Sequence, residues 1–316
     1  MSALAAVALP PLESAGFGAF WTVMGLFVGS FLNVCIHRFP VEGASVWSPA
    51  RSHCPRCERM LGWRENLPVL SWLAQRGRCK GCSASIHWRY PLVELVGAAT
   101  FHVVWRADAS LGWEFLLLHS VVLSGLVVAT FVDFERYEIP DQVSIGGMWA
   151  APLVSFMLPA LHAGGLVAAA MGPGEAPDGV ASLCECLAGM ALGGGVLYGI
   201  GWAGKAASGA EAMGFGDVKL MAAGGGLIGV AGVVEALQVA VFTGALVGIL
   251  NIGRWYLVVR ARQRQRRLVH RGRAEALRTA RVLGRYLPFG PYLALGIGIA
   301  LLDWKDVLDL LPFGLG

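Results

Sequence analysis

Two aspartates and four cysteines are the residues whose types and spacing could do chemistry. Asp133 ends a mostly apolar run from Phe115 through Val132 and opens the polar stretch Asp133-Phe134-Glu135-Arg136-Tyr137-Glu138-Ile139-Pro140-Asp141. Asp217 closes Gly214-Phe215-Gly216-Asp217, and another apolar run follows it. A carboxylate at the rim of a membrane span is expensive to keep there, which makes each a functional candidate. Brought face to face, the two would divide the work of hydrolysis. The ionised member takes a proton from water, and the protonated member polarises the scissile carbonyl. Each also has a plainer role open to it: Asp133 as an interfacial anchor, Asp217 as a cap of the span it precedes. Gly214 and Gly216 favour the chemical reading of Asp217, because they leave room for backbone beside the carboxylate. Asp141, after Pro140 and before an apolar run, reads as a helix N-cap, and Glu135 and Glu138 read as solvated.

Cys54-Pro55-Arg56-Cys57 and Cys79-Lys80-Gly81-Cys82 form two C-x-x-C knuckles separated by 21 residues. Each knuckle aims two thiolates at one ion, and two knuckles close a tetrahedron, the pattern of a structural zinc site. A four-thiolate site is coordinatively closed, so its work is folding rather than hydrolysis. The alternative is a pair of redox-active or disulfide-linked dithiols. His53 adjoins Cys54 and could replace a ligand. Cys35 reads as packing, while Cys184 and Cys186 carry little metal or disulfide signal on their own.

The elements that must position these groups cross a membrane. Hydrophobic residues make up 56% of the 316 and charged residues only 15%, with apolar stretches recurring along the chain. The expected fold is an all-α polytopic membrane protein of about eight transmembrane helices. Its 43 glycines suit close helix packing in a bilayer. The spans are expected near 17–36, 91–105, 113–132, 143–161, 187–203, 218–234, 236–258 and 289–304, with Glu94 near the start of the second. No cleavable leader is evident, so the first span is expected to be retained.

If segment 38–90 is cytoplasmic, all but Arg106 and Lys305 of the 25 Lys and Arg residues fall on the cytoplasmic side. Both termini are then periplasmic. Asp133 and Asp217 share the cytoplasmic side with a small zinc-binding domain between the first and second helices. The expected divisions are 1–37 for the first span, 38–90 for the zinc-binding loop and 91–316 for the remaining membrane core. A Gly/Pro-rich stretch at 163–182, with Glu175 and Asp178, reads as a flexible outside loop. The basic segment 260–285 reads as a cytoplasmic topology determinant on anionic lipid. Nothing aromatic is interleaved with it, and no nucleic-acid partner is expected.

The combination resembles the bacterial prepilin peptidases, or type IV leader peptidases, a family of Gly-x-Gly-Asp intramembrane aspartyl proteases. The resemblance rests on Gly29-Ser30-Phe31-Leu32-Asn33-Val34, His37-Arg38-Phe39-Pro40, the two knuckles, Asn66-Leu67-Pro68 and Leu70-Ser71-Trp72-Leu73. It continues through Gly77-Arg78-Cys79, Arg89-Tyr90-Pro91-Leu92-Val93-Glu94-Leu95, Asp133 through Asp141, Gly214 through Leu220 and Pro288-Phe289-Gly290-Pro291-Tyr292.

The resemblance implies an aspartic endopeptidase of the bacterial inner membrane. Such an enzyme removes the basic leader of type IV prepilins or type II secretion pseudopilins after a glycine, on the cytoplasmic side. It places the catalytic pair on Asp133 and Asp217 and the zinc ligands on Cys54, Cys57, Cys79 and Cys82. Many members also methylate the new N-terminal amine with S-adenosylmethionine. No residue here is assigned to that cofactor. The zinc loop favours the bifunctional form over the simpler preflagellin-type peptidases. The rival of a different class is a zinc-stapled membrane scaffold or transporter, and a transporter would place its polar residues near mid-membrane rather than at the rims.

Overall fold

The computed structural model describes residues 11–48, 52–172, 176–209, 213–265, 276–279 and 287–302. Arg51, Glu175, Lys305 and most of the basic segment 260–285 lie outside the described residues. The longer elements are α1 (Ala15–Arg38), α2 (Leu70–Ala74), α3 (Arg89–Asp108), α4 (Trp113–Arg136), α5 (Asp141–Met157), α6 (Leu166–Met171), α7 (Gly179–Ser208), α8 (Phe215–Gln265) and α9 (Gly290–Leu301). The fold is all-α as expected. Among the described residues the extended pairings are isolated bridges, Ser45 with Ser48, His53 with Met60 and Arg78 with Ser85.

Local signals explain several helix ends. Ser14 caps α1 by accepting from Phe17 N at 3.2 Å, and Asp178 caps α7 by accepting from Ala181 N at 2.7 Å. Gly209 closes α7 in the left-handed region at φ 71°. α4 ends on Tyr137, which takes φ 58° without being glycine while its N–H returns to Asp133 O at 2.9 Å.

Among the described residues four helices are long and apolar enough to cross a membrane: Ala15–Arg38, Trp113–Arg136, Gly179–Ala207 and Phe215–Gln263. Eight crossings are therefore not established. α3 coincides with the expected second span but carries Arg89, Glu94, Arg106 and Asp108. α5, with 17 residues, and α9, with 12, are short. The expected spans at 218–234 and 236–258 both fall within α8. Its 51 residues are interrupted at Gly229, where φ 67° and ψ −176° leave the helical region, rather than near 235.

The chain divides into two compact units. The first comprises Met1–Val132, Pro140–Val143 and Gly298–Gly316. In it α1 and α3 meet along glycines. A Cβ on Gly25 would stand 2.6 Å from Gly97 O, and one on Gly29 would stand 2.7 Å from Glu94 Cα. Only glycine allows backbones that close. Phe17, Trp21 and Phe101 are buried together, and Trp21 Nε1 donates to Ser120 Oγ at 3.3 Å. Asp108 and His119, both nearly fully buried, tie α3 to α4 through a 2.8 Å contact.

The second unit comprises Asp133–Ile139 and Ser144–Ile297. Here α7 and α8 pack through small residues. A Cβ on Gly189 would run into Gly225 O, and one on Gly193 would stand 2.7 Å from Met221 O. The interruption at Gly229 is held from α7. Glu185, 1% exposed, accepts from Val230 N and from Val167 N, each at 2.9 Å. His162, beside the same carboxylate in charge terms, contacts Ser182 Oγ through Nδ1 at 2.8 Å.

Candidate active site

Asp133 sits in the last turn of α4 and is 5% exposed. A buried carboxylate needs donors, and the Gly290 N–H, at the start of α9, donates to its Oδ2 at 2.9 Å. The approach depends on the missing side chain, because a Cβ on Gly290 would stand 2.6 Å from that oxygen. Asp217 lies in the first turn of α8, where helix-terminal N–H groups favour negative charge. Its own N–H closes a turn to Gly214 O at 3.2 Å. The two carboxylates are near enough for the charge of Asp133 to act on Asp217. Ile139, buried, packs beside both: it meets the positions a Cβ would take on Gly216, next to Asp217, and on Gly290, the donor to Asp133, each at 3.1 Å.

The structure thus brings together the two aspartates singled out from the sequence. Glu135 and Glu138 are exposed. Asp141 is the first residue of α5, inside its first turn rather than ahead of it. The Lys219 ammonium lies over the Phe215 ring at 5.7 Å. A buried and a half-buried carboxylate at two helix ends, with a backbone donor on one, can activate a water and polarise a carbonyl. Gly290 received no role from the sequence. Its signal was the proline-flanked Pro288-Phe289-Gly290-Pro291 turn, but its partner lies 157 positions away.

The four cysteines converge in the first unit. One ligand atom from each of Cys54, Cys57, Cys79 and Cys82 lies within 4.8 Å of the others, so the cluster could hold a metal ion. Cys54 Sγ and Cys82 Sγ are 3.8 Å apart, which matches the edge of about 3.8 Å in a tetrahedron of thiolates about 2.3 Å from zinc. The knuckles are built alike. Cys54 N donates to Arg59 O and Glu58 N to Cys54 O, while Cys79 N donates to Ala84 O and Ser83 N to Cys79 O, all at 2.8–3.0 Å. In both, the residue after the second cysteine, Glu58 or Ser83, takes φ 56°. Backbone N–H groups of Cys82 and Gly81 bring the Cys79 thiol down to about 6, and those of Arg56 and Cys57 lower that of Cys54.

His53 is not part of the cluster, and the sequence reading missed Arg59. A Cβ on Gly81 would stand 3.0 Å from Arg59 Nε, and the Arg59 guanidinium grips Glu65 at 3.1 and 2.8 Å. That arginine, with the Gly62 N–H, holds the Glu65 carboxyl at about 2. Cys35, Cys184 and Cys186 are free thiols, Cys35 and Cys186 buried and Cys184 exposed.

Comparison with known proteins identifies the family. Residues 23–107 match the bacterial peptidase A24 N-terminal domain, and residues 120–249 match the type IV leader peptidase family. The chain is 33% identical over 309 residues to a prepilin leader peptidase/N-methyltransferase of Aeromonas salmonicida, covering 90% of this chain and 89% of the relative. Its identity to the protein of that name from Myxococcus xanthus is 36% over 237 residues, covering 75% and 63%. To that of Pseudomonas putida it is 33% over 319 residues, covering 93% of each. No solved structure matches the chain. The chain belongs to the type IV leader peptidase family and is a peptidase of that family.

Proposed function

We propose that the protein cleaves the basic leader of type IV prepilins or type II secretion pseudopilins at the cytoplasmic face of the bacterial inner membrane. It then methylates the new N-terminal amine with S-adenosylmethionine. In this reading Asp133 and Asp217 are the catalytic dyad, and both termini are periplasmic. The observation that carries it is the pairing itself: a buried Asp133, fixed by the Gly290 N–H, within charge range of Asp217. The peptidase and N-methyltransferase names of the relatives support the two activities. Cys54, Cys57, Cys79 and Cys82 hold one zinc, whose contribution is to fold the loop.

Asp133→Asn and Asp217→Asn test the dyad. Each variant inserts and accumulates but leaves a prepilin uncut, as read by mass spectrometry of its N-terminus. Full cleavage by either variant removes that residue from the mechanism. The same spectra, taken with and without S-adenosylmethionine, report the methyl group.

A further inference from the structure

The α1–α3 seam of the first unit holds a second polar cluster that the peptidase chemistry does not use. Glu94, 9% exposed, accepts from Val69 N at 2.7 Å, and the Ser30 hydroxyl donates to the same carboxylate. Val69 takes φ 60° and ψ −50°, a strained conformation for a β-branched residue. Asn33, 5% exposed, donates through Nδ2 to Gly29 O at 3.4 Å and Tyr90 O at 3.1 Å. Both partners can only accept, so the amide orientation is fixed and its oxygen faces elsewhere. That oxygen, Asn33 Oδ1, is buried and has no partner among the described residues. The amide lies against the Tyr90–Glu94 turn of α3, the turn from which Glu94 projects. An unsatisfied buried acceptor is costly, and together with a carboxylate it makes a site rich in acceptors.

Such a site suits a small cation with several N–H donors. We propose that Glu94 and Asn33 bind the N-terminal ammonium of the cleaved pilin and that Glu94 accepts its proton for methyl transfer. This rests on the methyltransferase reading above. The ammonium passes one proton to the Glu94 carboxylate, and the freed nitrogen lone pair attacks the methyl carbon of a sulfonium donor. The carbon–sulfur bond breaks with its electrons to sulfur, leaving a thioether and a secondary ammonium. Asn33 Oδ1 accepts from a remaining N–H and orients the nitrogen. The Val69 N–H and the Ser30 hydroxyl hold the carboxylate in place.

The test uses the full chain in lipid nanodiscs and two peptides of the mature pilin N-terminus, one with a free amine and one N-acetylated. Wild type binds the free-amine peptide about tenfold or more tightly over the acetylated one, as a charge-assisted hydrogen bond predicts. Glu94→Gln, which keeps an acceptor for Val69 N–H, abolishes that preference. It also abolishes methylation and leaves prepilin cleavage, zinc content and S-adenosylmethionine binding unchanged. Equal affinity of wild type for the two peptides overturns the proposal, and so does a preference retained by Glu94→Gln. Loss of S-adenosylmethionine binding in that variant makes the sulfonium the occupant and overturns the amine assignment. A wild type with a Glu94-dependent preference that transfers no methyl group keeps the subsite and refutes the methyltransferase reading. If Glu94→Gln does not accumulate, Glu94→Asp decides. Methylation reduced at normal cleavage supports the proposal, and joint loss of both activities with zinc makes Glu94 a structural anchor and overturns it.

Discussion

Gly290 acts on Asp133 twice, through an N–H that donates to its carboxylate and through the side chain it lacks. Gly290→Ala places a methyl group against Oδ2 and must displace the carboxylate. Misplacement by about 1 Å costs a catalytic group roughly 100-fold, so kcat for prepilin cleavage falls by about that factor, with a smaller change in KM. Steady-state kinetics of the variant check this. Asp133, Asp217 and the four cysteines were legible in the sequence because each announces itself locally: a charge interrupting an apolar run, or a fixed Cys-x-x-Cys spacing. Gly290 and Arg59 were not. Their roles depend on which distant group the fold sets beside them, and a glycine or a surface arginine looks the same with or without such a neighbour.

At the scale of elements, α8 shows how a helix can be interrupted where water is scarce. Gly229 frees the N–H of Val230, and Glu185 from α7 accepts it. Glu185→Ala leaves two half-buried N–H groups unpaired and destabilises the second unit by about 2 kcal/mol. Its melting temperature falls, and wild-type cleavage persists in the cold. Glu185→Gln, which offers only one oxygen, falls between. Thermal inactivation in detergent gives both values. The sequence placed the interruption near 235 because apolar composition runs through Gly229 unbroken, and hydropathy does not register a backbone angle. α3 was legible as a helix, but its four charged residues keep it from the apolarity of a free-standing span. Glu94 and Asn33 sit where that helix meets α1.

For the whole molecule, the charge distribution and the metal loop carry separate consequences. On the proposed topology, which sets 23 of the 25 basic residues on the cytoplasmic side, a reporter fused within 260–285 reads as cytoplasmic. A periplasmic signal would invert the map. Elemental analysis finds about one zinc per chain. Stripping it with a chelator exposes residues 38–90 to proteolysis, while the helices of the second unit keep their circular dichroism. Zinc-free protein that resists proteolysis equally well would refute the structural role.

The matched hydrogen bonding of the knuckles at Cys54–Cys57 and Cys79–Cys82 gives each half its own local frame. Ribosomes add roughly 5–20 residues per second, so the 25 positions from Cys57 to Cys82 take about one to five seconds. During that interval the nascent chain presents a finished dithiolate with no second half, open to oxidants and to any soft metal at hand. The order of synthesis, and not only the final cluster, therefore bears on what the thiolates meet first.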